Sequence, residues 1–177
     1  MDAIEVLREL HGRIPAEVRR AVDSLTAEQL ATPPAEGANT IGWLVWHLAR
    51  VEDSHVAEVA GPGLTATEQR YVADGWAERL GLPADPDDTG FRHSPEQVLA
   101  VRPDPDALLA YCEAVHEATL RYLDGLEPGD LDRVIDRSWD PPVTLGVRLV
   151  SVCDDAIQHA GQAAYARGML GIDVDVP

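Results

Sequence analysis

The sequence predicts an all-α protein built as a four-helix bundle. Four segments carry apolar residues at the spacing of amphipathic helices, and no segment shows the regular alternation of a strand. One connection, residues 61–103, is far longer than the others and is rich in proline, glycine and aspartate. The chain has 177 residues, of which 45% are hydrophobic, so it can fill the core of one domain, which we expect to span residues 1–177.

Apolar stripes and end signals define the first two helices. Helix one covers residues 2–25, and Pro15 predicts a kink or a break within it. Helix two has Asn39 or Thr40 as its N-cap and stops at the Gly-Pro-Gly sequence of residues 61–63. The inward stripe of helix two consists of Ile41, Leu44, Leu48, Val51 and Val59.

The second pair of helices flanks a shorter connection. Helix three spans residues 104–125, with Asp104 near its start and Leu109, Cys112, Leu120 and Leu123 facing inward. Helix four follows the sequence WDPPVTLG and ends at Gly168 or Gly171. The long connection contains one helical candidate, GWAERLGL, and its length leaves two interpretations open, a lid over a pocket or a solvated loop.

Composition and charge exclude several classes of function. A formal charge of −17 would repel nucleic acid, and all 14 basic residues are arginine, which excludes a Schiff-base lysine or a Walker A loop. From the composition of its first residues and the length of its apolar runs, we expect neither a secretory signal nor a membrane-spanning helix. Its two cysteines, Cys112 and Cys153, suit buried thiols in a reducing compartment. We therefore expect a cytoplasmic protein that acts on a small molecule, with neither a nucleic acid nor a membrane as partner.

Ionisable side chains on two apolar helices form the candidate site. Asp155 and His159 lie four residues apart on helix four and share a face, while His47 lies beside the apolar stripe of helix two. If the two helices face each other, the three groups meet and leave a metal coordination position open, as in catalytic zinc and some ferrous sites. A plainer interpretation fits the same residues: an exposed Asp155–His159 pair worth about 0.3 kcal/mol and a hydrogen-bonded core histidine at His47.

Three further side chains are candidates for supporting roles. Gln162, one turn beyond His159, could orient a ligand; Trp43 could line a pocket; and His116 on helix three could be a ligand or a proton carrier. Each has an ordinary alternative as a surface glutamine, a core tryptophan or a packed histidine. Glu52 and Asp53 are expected on a solvated face of helix two.

The stretches NTIGWLVWHLARVED and DDAIQHAGQAAYARG resemble the DinB superfamily, and the resemblance spans almost the whole chain. It implies a four-helix bundle that binds a divalent metal through a histidine on the second helix, matched by His47. The other two ligands lie four apart on the fourth helix, matched by Asp155 and His159. The commonest family pattern there is two histidines followed by Gly-Gln, which Gly161 and Gln162 supply.

Asp155 departs from that commonest pattern. A carboxylate at this ligand position resembles the mycothiol-dependent maleylpyruvate isomerase branch of the family, where a glutamate precedes the last histidine. Because that branch carries a second, C-terminal domain, the resemblance does not imply the isomerase reaction.

The resemblance implies a function as well as a fold. It implies a divalent metal, with zinc favoured and nickel or iron suited to the same ligands, and a low-molecular-weight thiol of the mycothiol type as cosubstrate. The implied reaction transfers that thiol to a small electrophile. Two alternatives stay open: a non-catalytic bundle acting as a small-molecule-binding or stress-related dimer, and a hydrolase that uses metal-activated water. Helix one is apolar enough to allow a homodimer.

Overall fold

The computed structural model describes residues 1–60 and 68–172 and confirms the all-α bundle. In chain order the helices are α1 (Ala3–His11), α2 (Ile14–Val22), α3 (Ala27–Leu30), α4 (Ile41–Ala60), α5 (Arg70–Ala73), α6 (Trp76–Arg79), α7 (Pro95–Ala100), α8 (Pro105–Asp124) and α9 (Leu145–Met169). A 3-10 turn (Pro128–Asp132) and a short antiparallel pair, β1 (Val134–Asp136) and β2 (Val143–Thr144), precede α9. This pair was not predicted, because two or three residues are too few to show alternation.

The bundle has four arms. Helices α1 and α2 together form the first arm, and α4, α8 and α9 form the other three. Helix α4 packs against α8 and α9, and α2 packs against the same two helices, so α2 and α4 lie diagonally opposite. Helices α4 and α9 are antiparallel, because His47 contacts His159 while His55, further along α4, contacts Arg148, earlier in α9. Helix α4 is buried around most of its circumference, so polar side chains on it need partners inside the protein.

The predicted helix ends agree with the capping geometry. The hydroxyl of Thr40, one of the two N-cap candidates, accepts a hydrogen bond from the Trp43 N–H at 3.1 Å. Asp104 caps α8, and Thr144 caps α9. The first arm breaks between α1 and α2, and Pro15 occupies the first turn of α2. The predicted Gly-Pro-Gly stop of residues 61–63 lies outside the described residues.

The predicted inward face of α8 was confirmed in part. Leu123 is fully buried as predicted, whereas Leu109, Cys112 and Leu120 are only partly buried against the core. The fully buried positions also include Tyr111 and Tyr122, so the inward face is rotated by about one residue from the predicted one. The tyrosines occupy core positions because their hydroxyls find acceptors there: the Tyr111 hydroxyl donates to Asp53 at 3.0 Å, and the Tyr122 hydroxyl donates to the Val59 carbonyl at 3.3 Å.

The expectation that Glu52 and Asp53 lie on a solvated face was also wrong. Both are buried, because α4 is enclosed on nearly all sides. Glu52 lies 3.7 Å from the ring nitrogen of His11. Asp53 accepts hydrogen bonds at 2.8 Å from the backbone N–H groups of Arg70 and Tyr71, which anchors α5 to the bundle.

The described part of the long connection, residues 68–103, packs onto the bundle and contributes to its main hydrophobic core. Tyr71, Trp76, Leu80 and Val98 are all buried in that core. The predicted helical candidate is present as α6. These residues therefore form a packed layer and not a solvated loop. We call residues 68–103 the connecting layer.

One buried side chain on α4 ties the connecting layer to the bundle. The guanidinium of Arg50, which has no exposed surface, donates to the carbonyls of Pro86 at 2.9 Å and Asp88 at 3.1 Å, and to the side chain of Gln69 at 2.9 Å. Its cation lies 3.4 Å from the Asp53 carboxylate. Arg50 thus fixes both ends of the stretch between residues 69 and 88.

Gly90 allows the closest approach of the connecting layer to α4. Its φ is +87°, and a Cβ at this position would lie 2.8 Å from the Trp46 ring and 3.1 Å from His47 Nδ1. No side chain larger than hydrogen fits there without moving one of these rings. Among the described residues, no helix is long and apolar enough to cross a membrane.

We expect Arg50→Met to lower the free energy of unfolding by about 3–5 kcal/mol, because it removes three contacts to the connecting layer and leaves the buried Asp53 carboxylate without its cation. Urea denaturation followed by circular dichroism measures this loss. The control is Arg13→Met, which removes an exposed pair with Glu9 and should change the free energy by less than about 0.5 kcal/mol. Equal losses in the two variants would contradict the anchoring role of Arg50.

We expect Gly90→Ala to destabilise the fold more than Gly37→Ala. Both glycines have positive φ, but no atom approaches a Cβ built on Gly37 within 4 Å. Gly37→Ala should therefore cost only the backbone strain, about 1 kcal/mol, while Gly90→Ala should cost about 1–3 kcal/mol more from overpacking. Urea midpoints of the two variants compare the costs, and identical midpoints would show that the connecting layer moves aside freely.

Candidate metal centre

His47 of α4 and Asp155 and His159 of α9 converge where the two helices face each other. One potential ligand atom from each residue lies within 4.8 Å of the other two. The imidazoles of His47 and His159 meet edge to face, with ring centroids 4.7 Å apart. The structure thus brings together all three predicted ligands, across more than a hundred residues of sequence.

Backbone carbonyls fix the proton on each histidine. His47 Nδ1 lies against the carbonyl of Thr89 in the connecting layer, and His159 Nδ1 lies 2.8 Å from the carbonyl of Asp155, one turn earlier in α9. Because a carbonyl only accepts hydrogen bonds, both Nδ1 atoms carry the proton. In the neutral imidazole this leaves a free lone pair on Nε2, which is the usual arrangement of metal-binding histidines.

The carboxylate of Asp155 contains a buried atom without a donor. Its Oδ2 has almost no contact with solvent and accepts no hydrogen bond from any described residue. The nearby His159 Nδ1, at 3.5 Å, directs its proton to the Asp155 carbonyl instead. A buried carboxylate oxygen of this kind needs a cation or an ordered water, so the residues fit a bound divalent ion.

Burial favours the neutral form of His47. Loss of solvent around the ring lowers the pKa of His47, and the nearby His159 lowers it further, although the Thr89 carbonyl opposes this shift. A neutral imidazole is the form that coordinates metal. The buried position of His47 therefore favours coordination at neutral pH.

Aromatic and polar side chains pack against the His47 ring and hold its orientation. Trp43 stacks on the His47 ring at 4.7 Å with an angle of 11° between the planes. The Trp43 indole donates to His93 Nδ1 at 3.1 Å, so the His93 proton lies on Nε2, which donates to Asp88 at 2.9 Å. Trp43, a predicted site residue, thus lies at the cluster. Helical periodicity does not predict the parts played by Thr89 and His93, because they depend on the path of the connecting layer.

The other two predicted supporting residues lie elsewhere. Gln162 is exposed and lines a separate apolar groove with Leu44 and Tyr165. His116 lies on α8, within electrostatic range of Glu52 and His11, and the structure does not bring it to the cluster of His47, Asp155 and His159. Its lowered pKa reflects burial, which the nearby Glu52 opposes.

Neither cysteine supplies a thiolate at neutral pH. Burial raises the pKa of Cys153 to about 11, and it raises the pKa of Cys112 even further. Cys153 is enclosed in the core, as expected of a buried thiol. A thiolate acting at this site would have to come from a bound molecule.

A groove of about 370 Å³ opens beside Asp155 along the seam between α4 and α9. Residues from both helices and from the β1–β2 hairpin line it, among them Val51, His55, Trp139, Arg148, Val152 and Asp155. We call this cavity the seam groove. Asp155 lines this groove whereas His47 and His159 do not, so the groove borders the cluster on the side of Asp155.

Known proteins share this architecture. Residues 11–163 match the DinB superfamily. The crystal structure of a conserved protein from Enterococcus faecalis is similar with a TM-score of 0.85 and 31% sequence identity, and the match covers 97% of this chain and 99% of that one. No curated protein matches the chain. Because the family match covers most of the bundle and all three candidate ligands, the chain belongs to the DinB superfamily.

Proposed function

We propose that this protein is a divalent-metal-dependent enzyme that transfers a low-molecular-weight thiol, of the mycothiol type, to a small electrophile. The observation that carries the proposal is the convergence of His47, Asp155 and His159, with both Nε2 atoms free and the Asp155 Oδ2 without a donor. An exposed ion pair and an isolated core histidine would not produce this arrangement.

The donor set suits zinc, and it also suits nickel or iron. Two neutral imidazoles and one carboxylate give three protein ligands, which is the number found in catalytic zinc sites that keep a position for substrate. Bound there, such an ion would lower the pKa of a thiol at the open position and supply its nucleophilic form at neutral pH.

The protein's own residues would orient the ligands and the substrate. Trp43 holds the plane of the His47 ring by stacking, and the Thr89 carbonyl prevents the ring from turning its Nε2 away. Val51 and Val152 give the seam groove apolar walls beside Asp155, which suits the carbon skeleton of a small electrophile. The absence of lysine and the protonated state of both cysteines support an external thiol as the nucleophile.

We expect the wild-type protein, incubated with zinc and then desalted, to retain about one divalent ion per chain. His47→Ala and His159→Ala should lose the ion, because either change leaves only two ligands. His116→Ala is the matched control, since His116 lies outside the cluster, and it should retain the ion. Inductively coupled plasma mass spectrometry measures the stoichiometry. Wild-type protein without zinc, nickel or iron after incubation would refute the proposed function.

We expect the zinc-loaded protein to consume an electrophile such as monochlorobimane only when a cysteine-based thiol, mycothiol or N-acetylcysteine, is added. His159→Ala should lower the rate by about 100-fold or more, since even loss of a residue supporting a ligand costs 10–100-fold. Fluorescence of the thiol adduct measures the rate. Thiol-independent hydrolysis of a test ester would favour the hydrolase, and loaded protein inert with every thiol would favour the non-catalytic bundle.

A further inference from the structure

The seam groove runs from Asp155 of the candidate metal centre to a second polar group, Arg148 with His55. Helix α4 presents His47, Val51 and His55 at intervals of four residues, so the three share one face. Helix α9 presents Asp155 and Arg148 toward the same groove. Because the helices are antiparallel, the candidate ligands lie at one end of the seam and His55 with Arg148 lie at the other.

The guanidinium of Arg148 is held in a fixed position at its end of the groove. Its NH1 donates to His55 Nδ1 at 2.5 Å and lies 3.4 Å from a Glu58 carboxylate oxygen, while its NH2 lies 3.9 Å from Asp136. Only 15% of the Arg148 side chain is exposed. Burial and the adjacent Arg148 lower the pKa of His55, consistent with a neutral ring that accepts this hydrogen bond.

Part of the donor capacity of Arg148 is unused. Arginine has five N–H donors in a rigid fork, and the two on NH1 account for the contacts to His55 and Glu58. Within residues 1–60 and 68–172, neither NH2 nor Nε donates a hydrogen bond to the protein. A fixed guanidinium with free donors is suited to a carboxylate, which it can bind through two parallel hydrogen bonds.

The space between the two ends is mainly apolar. Val51, Val147 and Val152 line it from the two helices, and Trp139 stands at its edge on the β1–β2 hairpin. Trp139 is 66% exposed, so most of its indole surface is free to contact a molecule bound in the groove. Arg148 and Asp155 are two helical turns apart on α9, which corresponds to about 10 Å.

We propose that the Arg148 end of the seam groove binds the carboxylate of a small molecule whose reactive end reaches the cluster of His47, Asp155 and His159. About five methylene groups separate the carboxylate from the reactive end, to suit the distance of about 10 Å between Arg148 and Asp155, and this hydrocarbon stretch would contact the valines and Trp139. The role of the reactive end rests on the proposed function, whereas the carboxylate site depends on Arg148 alone. Either the thiol or the electrophile can carry this carboxylate.

The test compares matched pairs of ligands that differ only in the carboxylate. The first pair, 6-mercaptohexanoate and 6-mercaptohexan-1-ol, is titrated into zinc-loaded protein. The second pair, hexanoate and hexan-1-ol, lacks the thiol and is titrated into zinc-loaded and EDTA-treated protein. Dissociation constants come from calorimetry or from NMR shift changes of the groove residues. The proteins are wild type, Arg148→Met, Arg148→Lys, and the control Arg121→Met, which removes the same charge from an exposed position on α8.

We expect the acid of each pair to bind wild type and Arg121→Met about tenfold more tightly than the alcohol, because the guanidinium forms charge-assisted hydrogen bonds. In Arg148→Met this preference should disappear with the affinity for the alcohol unchanged, and Arg148→Lys should restore part of it. If the acid binds more tightly than the alcohol in the hexanoate pair but not in the mercapto pair, the carboxylate belongs to the electrophile.

The two proposals fail in distinguishable ways. If neither thiol binds the zinc-loaded protein, the proposed function fails, while an Arg148-dependent preference for hexanoate in EDTA-treated protein still supports the carboxylate site. If wild type and Arg148→Met show the same ratio of acid to alcohol affinity in every ligand pair and metal state, the carboxylate site is refuted, whatever the thiols do.

Discussion

The candidate metal centre depends on the burial of one guanidinium, that of Arg50. Placing a charge inside a protein is costly unless several partners surround it, and Arg50 has acceptors from Gln69, Pro86 and Asp88 as well as the Asp53 carboxylate. The acceptors from Gln69, Pro86 and Asp88 belong to the connecting layer, whereas Asp53 and a further acceptor, the Tyr111 hydroxyl, belong to the bundle. Because Asp88 directly precedes Thr89, the contact that holds the layer to α4 also positions the carbonyl that orients His47.

The two histidines of the cluster are therefore supported in different ways. His159 is oriented by a carbonyl of its own helix, so its geometry is set as soon as α9 forms. His47 is oriented by a residue 42 positions away in sequence and by stacking on Trp43. The layer that supports His47 also contains Gly90, whose lack of a side chain permits the close contact with both rings of the tryptophan pair, Trp43 and Trp46.

The bundle could be predicted from sequence because it follows from helical periodicity, which is a local property. Periodicity also placed Asp155 and His159 on one helix face and His47 beside an apolar stripe, but the assignment of these residues as ligands came from the resemblance to the DinB superfamily. The prediction was wrong where a polar side chain found a partner from a distant element. Tyr111 took a core position by donating to Asp53, which rotated the inward face of α8, and Asp53 itself was buried by the backbone of α5. The roles of Thr89 and His93 could not be predicted, because no periodicity specifies where an irregular segment crosses a helix.

Because the orientation of His47 depends on Thr89, ligand binding at the cluster and local unfolding of the connecting layer oppose each other. If the connecting layer separates from α4, the Thr89 carbonyl leaves His47 and the ring is free to rotate. A ligand that requires His47 in its bound orientation selects molecules with the layer in place, and it raises the free energy of that local opening by its own binding free energy. Hydrogen exchange of amides near residue 90 would then report occupancy of a site to which those amides do not themselves bind.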